Sequence, residues 1–273
     1  MKMISFILLI LSFQGFSATY KVTRPDDPVP NGCLSNDCSL REAVIVANDN
    51  PGMDDISLYN GTFWLSILGI DEDDTFYGDL DIKDDVRIYG VNHVFTSLTI
   101  TVNINHFFDV KPGVNFIIED LKILENSNLN NNTALTANFA SLKLNNVRID
   151  GFQNGGIIAQ HSEVEINDSY IVNNTSENTG AGINLIESSL IMNNSFVQNN
   201  ETISSMFDFQ GGGIYAHFYQ TDPNKTAISI NNSQISGNKA ARGGGIYMRN
   251  FTEIKTQVLI YNSKIFFYHV FCH

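Results

Sequence analysis

Six times between residues 116 and 265 the chain returns to one template: apolar, any, apolar, any, Asp or Asn, any, any, apolar. The copies are Phe116, Ile118, Asp120, Ile123; then Leu142, Leu144, Asn146, Ile149; and Val164, Ile166, Asp168, Ile171. Leu190, Met192, Asn194, Val197 follow, then Ile228, Ile230, Asn232, Ile235 and Val258, Ile260, Asn262, Ile265. Alternating apolar residues turn one face of a strand inward. The fixed Asp or Asn is the residue type that tolerates left-handed backbone and bonds its own main chain at a turn. The unit is therefore strand, bend, strand, and it recurs after 26, 22, 26, 38 and 30 residues. A period that changes only by insertion predicts a coiled β-solenoid, each turn stacked on its neighbour and the extra residues bulging outward.

Glycine clusters run in phase with the template: Gly155-Gly156, Gly180-Ala181-Gly182, Gly211-Gly212-Gly213 and Gly243-Gly244-Gly245, each before an Ile. They are expected to supply positive φ and to let backbone layers approach closely. A phosphate-cradling loop would need a helix N-terminus after the glycines, and an apolar strand follows instead. The insertions fall at 201–210, 218–225 and 249–255, and these loops are where variable surface function is expected to sit.

The first residues read differently. Met1-Lys2 is a short basic start, 4–11 is an apolar run, and small residues surround Ser17-Ala18, so 1–18 reads as a cleaved secretory signal. Nothing later approaches the roughly 20 apolar residues of a transmembrane helix, which leaves no membrane span after signal cleavage. With 16 Lys+Arg against 29 Asp+Glu and a formal charge of −13, the chain lacks the cationic face that a nucleic-acid binder needs.

Residues 19–54 form a separate N-terminal section: a first strand around Tyr20–Thr23, a loop, and a short helix from 40 to about 47. Ser39 and Glu42, three residues apart, make a capping box at its start. Such a helix would cover the first coil, whose strand edges otherwise stay open. The coils are then expected over 55–265, with an atypical tail at 266–273 that lacks the repeat, as a truncated product would. Cys33 and Cys38 suit a small disulfide loop in an exported protein, with a zinc site as the alternative. Cys272 is left over.

Cys38-Ser39-Leu40-Arg41-Glu42-Ala43 resembles the motif that names the CSLREA-domain proteins, exported bacterial proteins of the right-handed parallel β-helix class. Gly78-Asp79-Leu80-Asp81-Ile82, followed by Val86-Arg87-Ile88-Tyr89-Gly90, looks like a second signature of that family, and Ser236 to Ile246 is similar to repeats of polymorphic outer-membrane proteins. The resemblance covers about 19–265 and implies an all-β, right-handed parallel β-helix with a short N-terminal capping helix. It implies a secreted or outer-membrane-associated location and transfers no catalytic residues.

Many right-handed β-helices cleave acidic polysaccharides, which makes lyase and hydrolase chemistry the catalytic alternatives for this chain. A lyase site wants clustered Asp ligands for Ca²⁺ and an arginine base on one face. Asp71, Asp73, Asp74, Asp79 and Asp81 are the Ca²⁺ candidates, with Glu72, Asp84 and Asp85 nearby; a solvated acidic loop is the plainer alternative. Arg87 and Arg148 lie at outward strand positions and read as surface charges. His93, His106, His161 and His217 have no Asp pair beside them in sequence, and no Gly-x-Ser-x-Gly elbow occurs. Ten Asn-x-Ser/Thr sequons, among them Asn60, Asn131, Asn167 and Asn224, fit asparagine at bends. The expectation is an exported structural, adhesive or glycan-binding protein with surface glycans or other cell-surface components as partners and no required cofactor; an enzyme acting on an acidic polysaccharide is the runner-up.

Overall fold

The structure, a computed structural model, describes residues 17–69, 74–125, 131–203, 210–219, 226–250 and 257–266. The signal segment through residue 16, Asp71, Asp73, most of the two insertions at 201–210 and 218–225, and Cys272 lie outside the described residues. Among those described, each template copy becomes part of a three-strand coil. Thr133–Asn138, Ser141–Asn145 and Arg148–Asp150 make one coil; Ile157–Gln160, Glu163–Asn167 and Tyr170–Val172 make the next. Equivalent strands pair in parallel, giving sheets of seven, nine and eight strands along the axis. The chain is a right-handed parallel β-helix, in the sense that parallel crossovers take.

Register follows the template. Phe116, Leu142, Val164, Leu190, Ile228 and Val258 align across the nine-stranded sheet. Ile123, Ile149, Ile171, Val197, Ile235 and Ile265 align across the eight-stranded one. From Phe116 to Ile235 these template residues are buried, so the core is a column of stacked apolar rungs. All six template Asx residues adopt positive φ, between 46° and 56°. Polar ladders run beside the core: Asn174 N and Nδ2 each donate to Asn200 Oδ1 at 3.0 Å, and Asn200 repeats this on Asn238 at 2.9 Å. The glycines pack against this ladder. A Cβ on Gly182 would lie 2.5 Å from the Gly213 carbonyl and 2.9 Å from Asn200 Nδ2, whereas Gly180 and Gly211 supply φ of 70° and 68°.

The helix Leu40–Asn48 packs against the strands Leu80–Ile82, Asp54–Ser57 and Thr19–Lys21 at the N-terminal end of the solenoid. Ser39 Oγ accepts from Glu42 N, and Glu42 Oε2 accepts from Ser39 N at 2.8 Å. Arg41 is fully buried: its guanidinium forks onto Asp27 at 2.7 and 3.0 Å and donates to the carbonyls of Thr75 and Gly78, both at 2.8 Å. Asp27 in turn accepts Ser66 N and Ile67 N. The arginine therefore ties three loops to the helix, and only a planar fork with five donors holds that many acceptors at once. Cys33 and Cys38 are bonded to each other. No helix among the described residues is long and apolar enough to cross a membrane.

Candidate functional site

Two places on the outside of the coil concentrate chemistry. The first is acidic and lies near the helix end of the seven-stranded sheet. Asp81, on Leu80–Ile82, is in register with Asp109 on His106–Val110, and Thr136 follows on the next coil. Asp79 joins them, so three carboxylates each bring an oxygen within 4.8 Å of the others. Asp79 and Asp81 are buried, which removes the solvated-loop alternative for these two. His106 Nδ1 lies 3.3 Å from Asp79 Oδ2, so the coil places a histidine beside acids that are far from it in sequence.

A cation already stands in this cluster. Lys111 Nζ is 2.6 Å from Asp81 Oδ1 and 2.6 Å from Asp109 Oδ2. Burial pushes the Asp81 carboxyl above its usual range, against the pull of Lys111. Neither Asp81 oxygen receives a well-aligned hydrogen bond, so the Lys111 contact is an ion pair by distance alone. Among the described residues, those that could hold a divalent ion are Asp79, Asp81 and Asp109, and the Lys111 ammonium sits between two of them. Asp74 is turned away to a local turn, accepting Phe76 N at 3.2 Å. Arg87 and Arg148 are not on this sheet. Arg87 pairs with Asp55 at 2.8 Å on the nine-stranded sheet, and Arg148 with Asp150 at 2.6 Å on the eight-stranded one. The arginine base of a lyase is thus not brought to these acids.

The second place is the corner where each strand of the seven-stranded sheet turns into the nine-stranded one. The corner residues of three successive coils are Phe139, His161 and Glu187, all at left-handed φ (51°, 49° and 50°). None is an Asn, Asp or Gly. Phe139 and His161 stack face to face, centroids 4.4 Å apart and planes 7° off parallel. On the far side Tyr219, just past Ile214–Phe218, lies against the His217 ring at 4.1 Å, and its backbone N–H donates to Glu187 Oε1. Phe139, His161, Ile186, Glu187 and Tyr219 line a cleft of about 520 Å³. That is within the range of small-molecule sites, and the lining mixes ring faces with the polar groups of His161 and Glu187. Phe139 and Tyr219 are 56% and 51% exposed, so two ring faces meet solvent.

Sequence reasoning placed His161 on the solenoid but missed Phe139, Glu187 and Tyr219 as a group, and missed Asp109 and Lys111 beside Asp81. The signal was present: three residues before the first four template copies stand Gly113, Phe139, His161 and Glu187. Gly113 takes φ 85°, so the column demands left-handed backbone and then fills it with bulky side chains.

No family model matches the chain, and neither does any curated protein. Among solved structures it is similar to Escherichia coli YbhC, at TM-score 0.48 and 11% identity, covering 95% of this chain and 87% of that one. It is also similar to ORF18 of Geobacillus virus E2, at 0.42 and 15%, covering 80% of this chain and 51% of the viral one, so it spans about half that protein's length. The A-module of the Azotobacter vinelandii mannuronan C-5 epimerase AlgE4 gives 0.36 and 13%, over 88% and 75%. At these scores the fold rests on the strand ladders of this chain.

Proposed function

We propose that this β-helix is an exported, cell-surface or secreted protein of the CSLREA type whose role is adhesive, by binding glycans along its outer corner. The observation that carries the reading is the cleft between Phe139, His161, Glu187 and Tyr219. Flat exposed rings offer faces of negative quadrupole to the positive edges of C–H bonds, and a sugar ring presents such an edge on each side. The carboxylate supplies a directional acceptor for a hydroxyl or amine. The basic start at Met1-Lys2 and the apolar run at 4–11 support export. The test is retention of the full chain on an array of neutral, acidic and basic glycans. Retention on at least one class, lost in Tyr219→Ala, is expected; folded protein that sticks to none would leave a purely structural role.

A second reading, a carbohydrate-active enzyme, is favoured by one arrangement: Asp81, buried and holding its proton more tightly, beside Asp109 and Asp79 with His106 at hand. Two carboxyls with divergent environments are what acid and base roles require. Lys111 weighs against it by neutralising both Asp81 and Asp109. Release of new reducing ends from an acidic polysaccharide, with and without Ca²⁺, and its loss in Asp81→Asn, decides this.

A further inference from the structure

We infer that copies of this chain associate head to tail, the open last coil of one seating on the helix-capped first coil of the next. The two ends of the solenoid differ in charge. Residues 19–90 carry fifteen Asp and Glu against five Lys and Arg, whereas 226–266 carry one acid, Glu253, against five bases. Among the described residues of that last stretch, the charged side chains are Lys239, Arg242, Arg249 and Lys264. Glu201, on the coil before, pairs with Lys239. The nine-stranded sheet holds the two ends roughly 40 Å apart, at about 4.8 Å per strand. That exceeds the Debye length of about 10 Å at 0.1 M salt. Each end therefore shows an approaching molecule its own sign, despite the net charge of −13.

The ends also differ in how they are finished. Gln257–Tyr261, Ile246–Asn250 and Lys264–Ile265 are the last strands of the three long sheets, and no described strand pairs beyond them. Template residues Val258 and Ile260 are 37% and 48% exposed, whereas Ile228 and Ile230, one coil earlier, are fully buried. An open apolar rung with an open main-chain edge is what folded proteins cover with a helix, a loop or another strand. At the first coil that cover exists, because the helix Leu40–Asn48 packs on Asp54–Ser57 and Leu80–Ile82. Its other side holds Ile45 and Val46, both half-buried, and the exposed Asp49 at its C-cap. The loop before it exposes Val29 and Leu34.

Sign and surface together select the occupant. Two open ends facing each other would set like charges together. An open end on a capped one sets bases and an apolar rung against acids and an apolar helix side. One helix then covers its own first coil on one side and the last coil of its neighbour on the other. Such a contact joins two different surfaces, so it extends beyond two copies instead of closing as an isologous dimer.

The experiment is sedimentation of the chain after signal cleavage, over a concentration series at low and at high salt. At low salt the mean mass is expected to rise with concentration past that of a dimer, and high salt should weaken association about tenfold. Lys264→Glu and Asp49→Lys should each weaken it about five- to tenfold, the scale of reversing one exposed ion pair, with β-structure by circular dichroism unchanged. An equal mixture of the two should associate like wild type, since the reversed tail of one meets the reversed head of the other. Ile260→Ser should weaken association at both salt concentrations. A folded chain that stays monomeric throughout the low-salt series would overturn the proposal. So would an Asp49→Lys variant that associates like wild type, because open ends would then be meeting each other.

Discussion

At the corner that leaves the nine-stranded sheet, the left-handed residues are Asp120, Asn146, Asp168, Asn194, Asn232 and Asn262; at the corner that enters it they are Gly113 and then Phe139, His161 and Glu187. Glycine aside, the backbone angle is nearly the same at both. At the first corner the side chain lowers the cost of that angle and bonds along the axis: Asn146 Nδ2 donates to Asp120 Oδ1 at 2.6 Å, and Asn262 Nδ2 to Asn232 Oδ1 at 2.7 Å. At the second corner neither the phenyl of Phe139 nor the propionate of Glu187 favours the bend, although histidine tolerates it better than most residues. Left-handed backbone costs an L-residue about 1–2 kcal/mol, so the second corner carries a local cost that its side chains do not offset in the way the Asx residues do. One corner offsets the cost of its bend with its own side chains, and the other turns its side chains to solvent and to one another.

The largest effect is expected where the polar ladders are buried, at the third corner. Asn200→Leu keeps side-chain volume but strips acceptors from Asn174 N and Nδ2 and donors from Asn238 Oδ1 and the Ile171 carbonyl. Orphaning buried polar groups costs about 1–3 kcal/mol each, so a loss of roughly 3 kcal/mol in chemical denaturation is expected. A loss below about 0.5 kcal/mol would mean that asparagine stacks are decoration, and the fold-building half of the comparison would fall.

The same third corner offers a pH test. Glu125 is buried, and its carboxyl is pushed up to about 7, first by burial and against hydrogen bonds from Asn132 Nδ2 and Gln153 N. A carboxyl raised in the folded state binds its proton more tightly there than when unfolded. Its stabilisation is therefore full below about pH 4.5 and is lost as pH rises to about 7. Wild type minus Glu125→Gln should show a difference of order 2 kcal/mol developing across that window. A flat difference would place Glu125 outside any buried network.

How much of this was legible beforehand follows from register. The six template copies could be aligned on themselves, so strands, bends and the inward face of each rung were readable, and Asn146 or Asp168 announced its own turn chemistry. Phe139 did not, because a phenyl at a bend carries no turn signal; only the column containing Gly113 shows what the backbone needs there. Asp81 and Asp109 are 28 residues apart and meet because they occupy equal positions on adjacent coils. The coils before residue 116 lack the full template, so that register was not readable from spacing.

Transplanting one corner's chemistry to the other sharpens the contrast. Asn194 is exposed and takes φ 50°. Asn194→Phe adds a ring with room in solvent, so its cost reports backbone strain alone. About 1–2 kcal/mol is expected. No loss would show that a bulky residue bends here freely, and the functional reading of Phe139 would lose its energetic basis.

The reverse exchange has the smallest effect and the most informative sign. Phe139→Asn puts a bend-tolerant residue at φ 51° and removes a ring that is 56% exposed, so little burial is given up. The ring does stack on His161, a contact worth about 0.5–1.5 kcal/mol. Relief of left-handed strain, about 1–2 kcal/mol, should outweigh it slightly. The expected result is a thermal midpoint unchanged or up by a few degrees, with weaker glycan retention. Stability and binding then move in opposite directions, as they do when a surface residue is kept against the preference of the fold. A variant that loses both would make Phe139 a packing residue, and the two corners would differ only in how they hold the coil together.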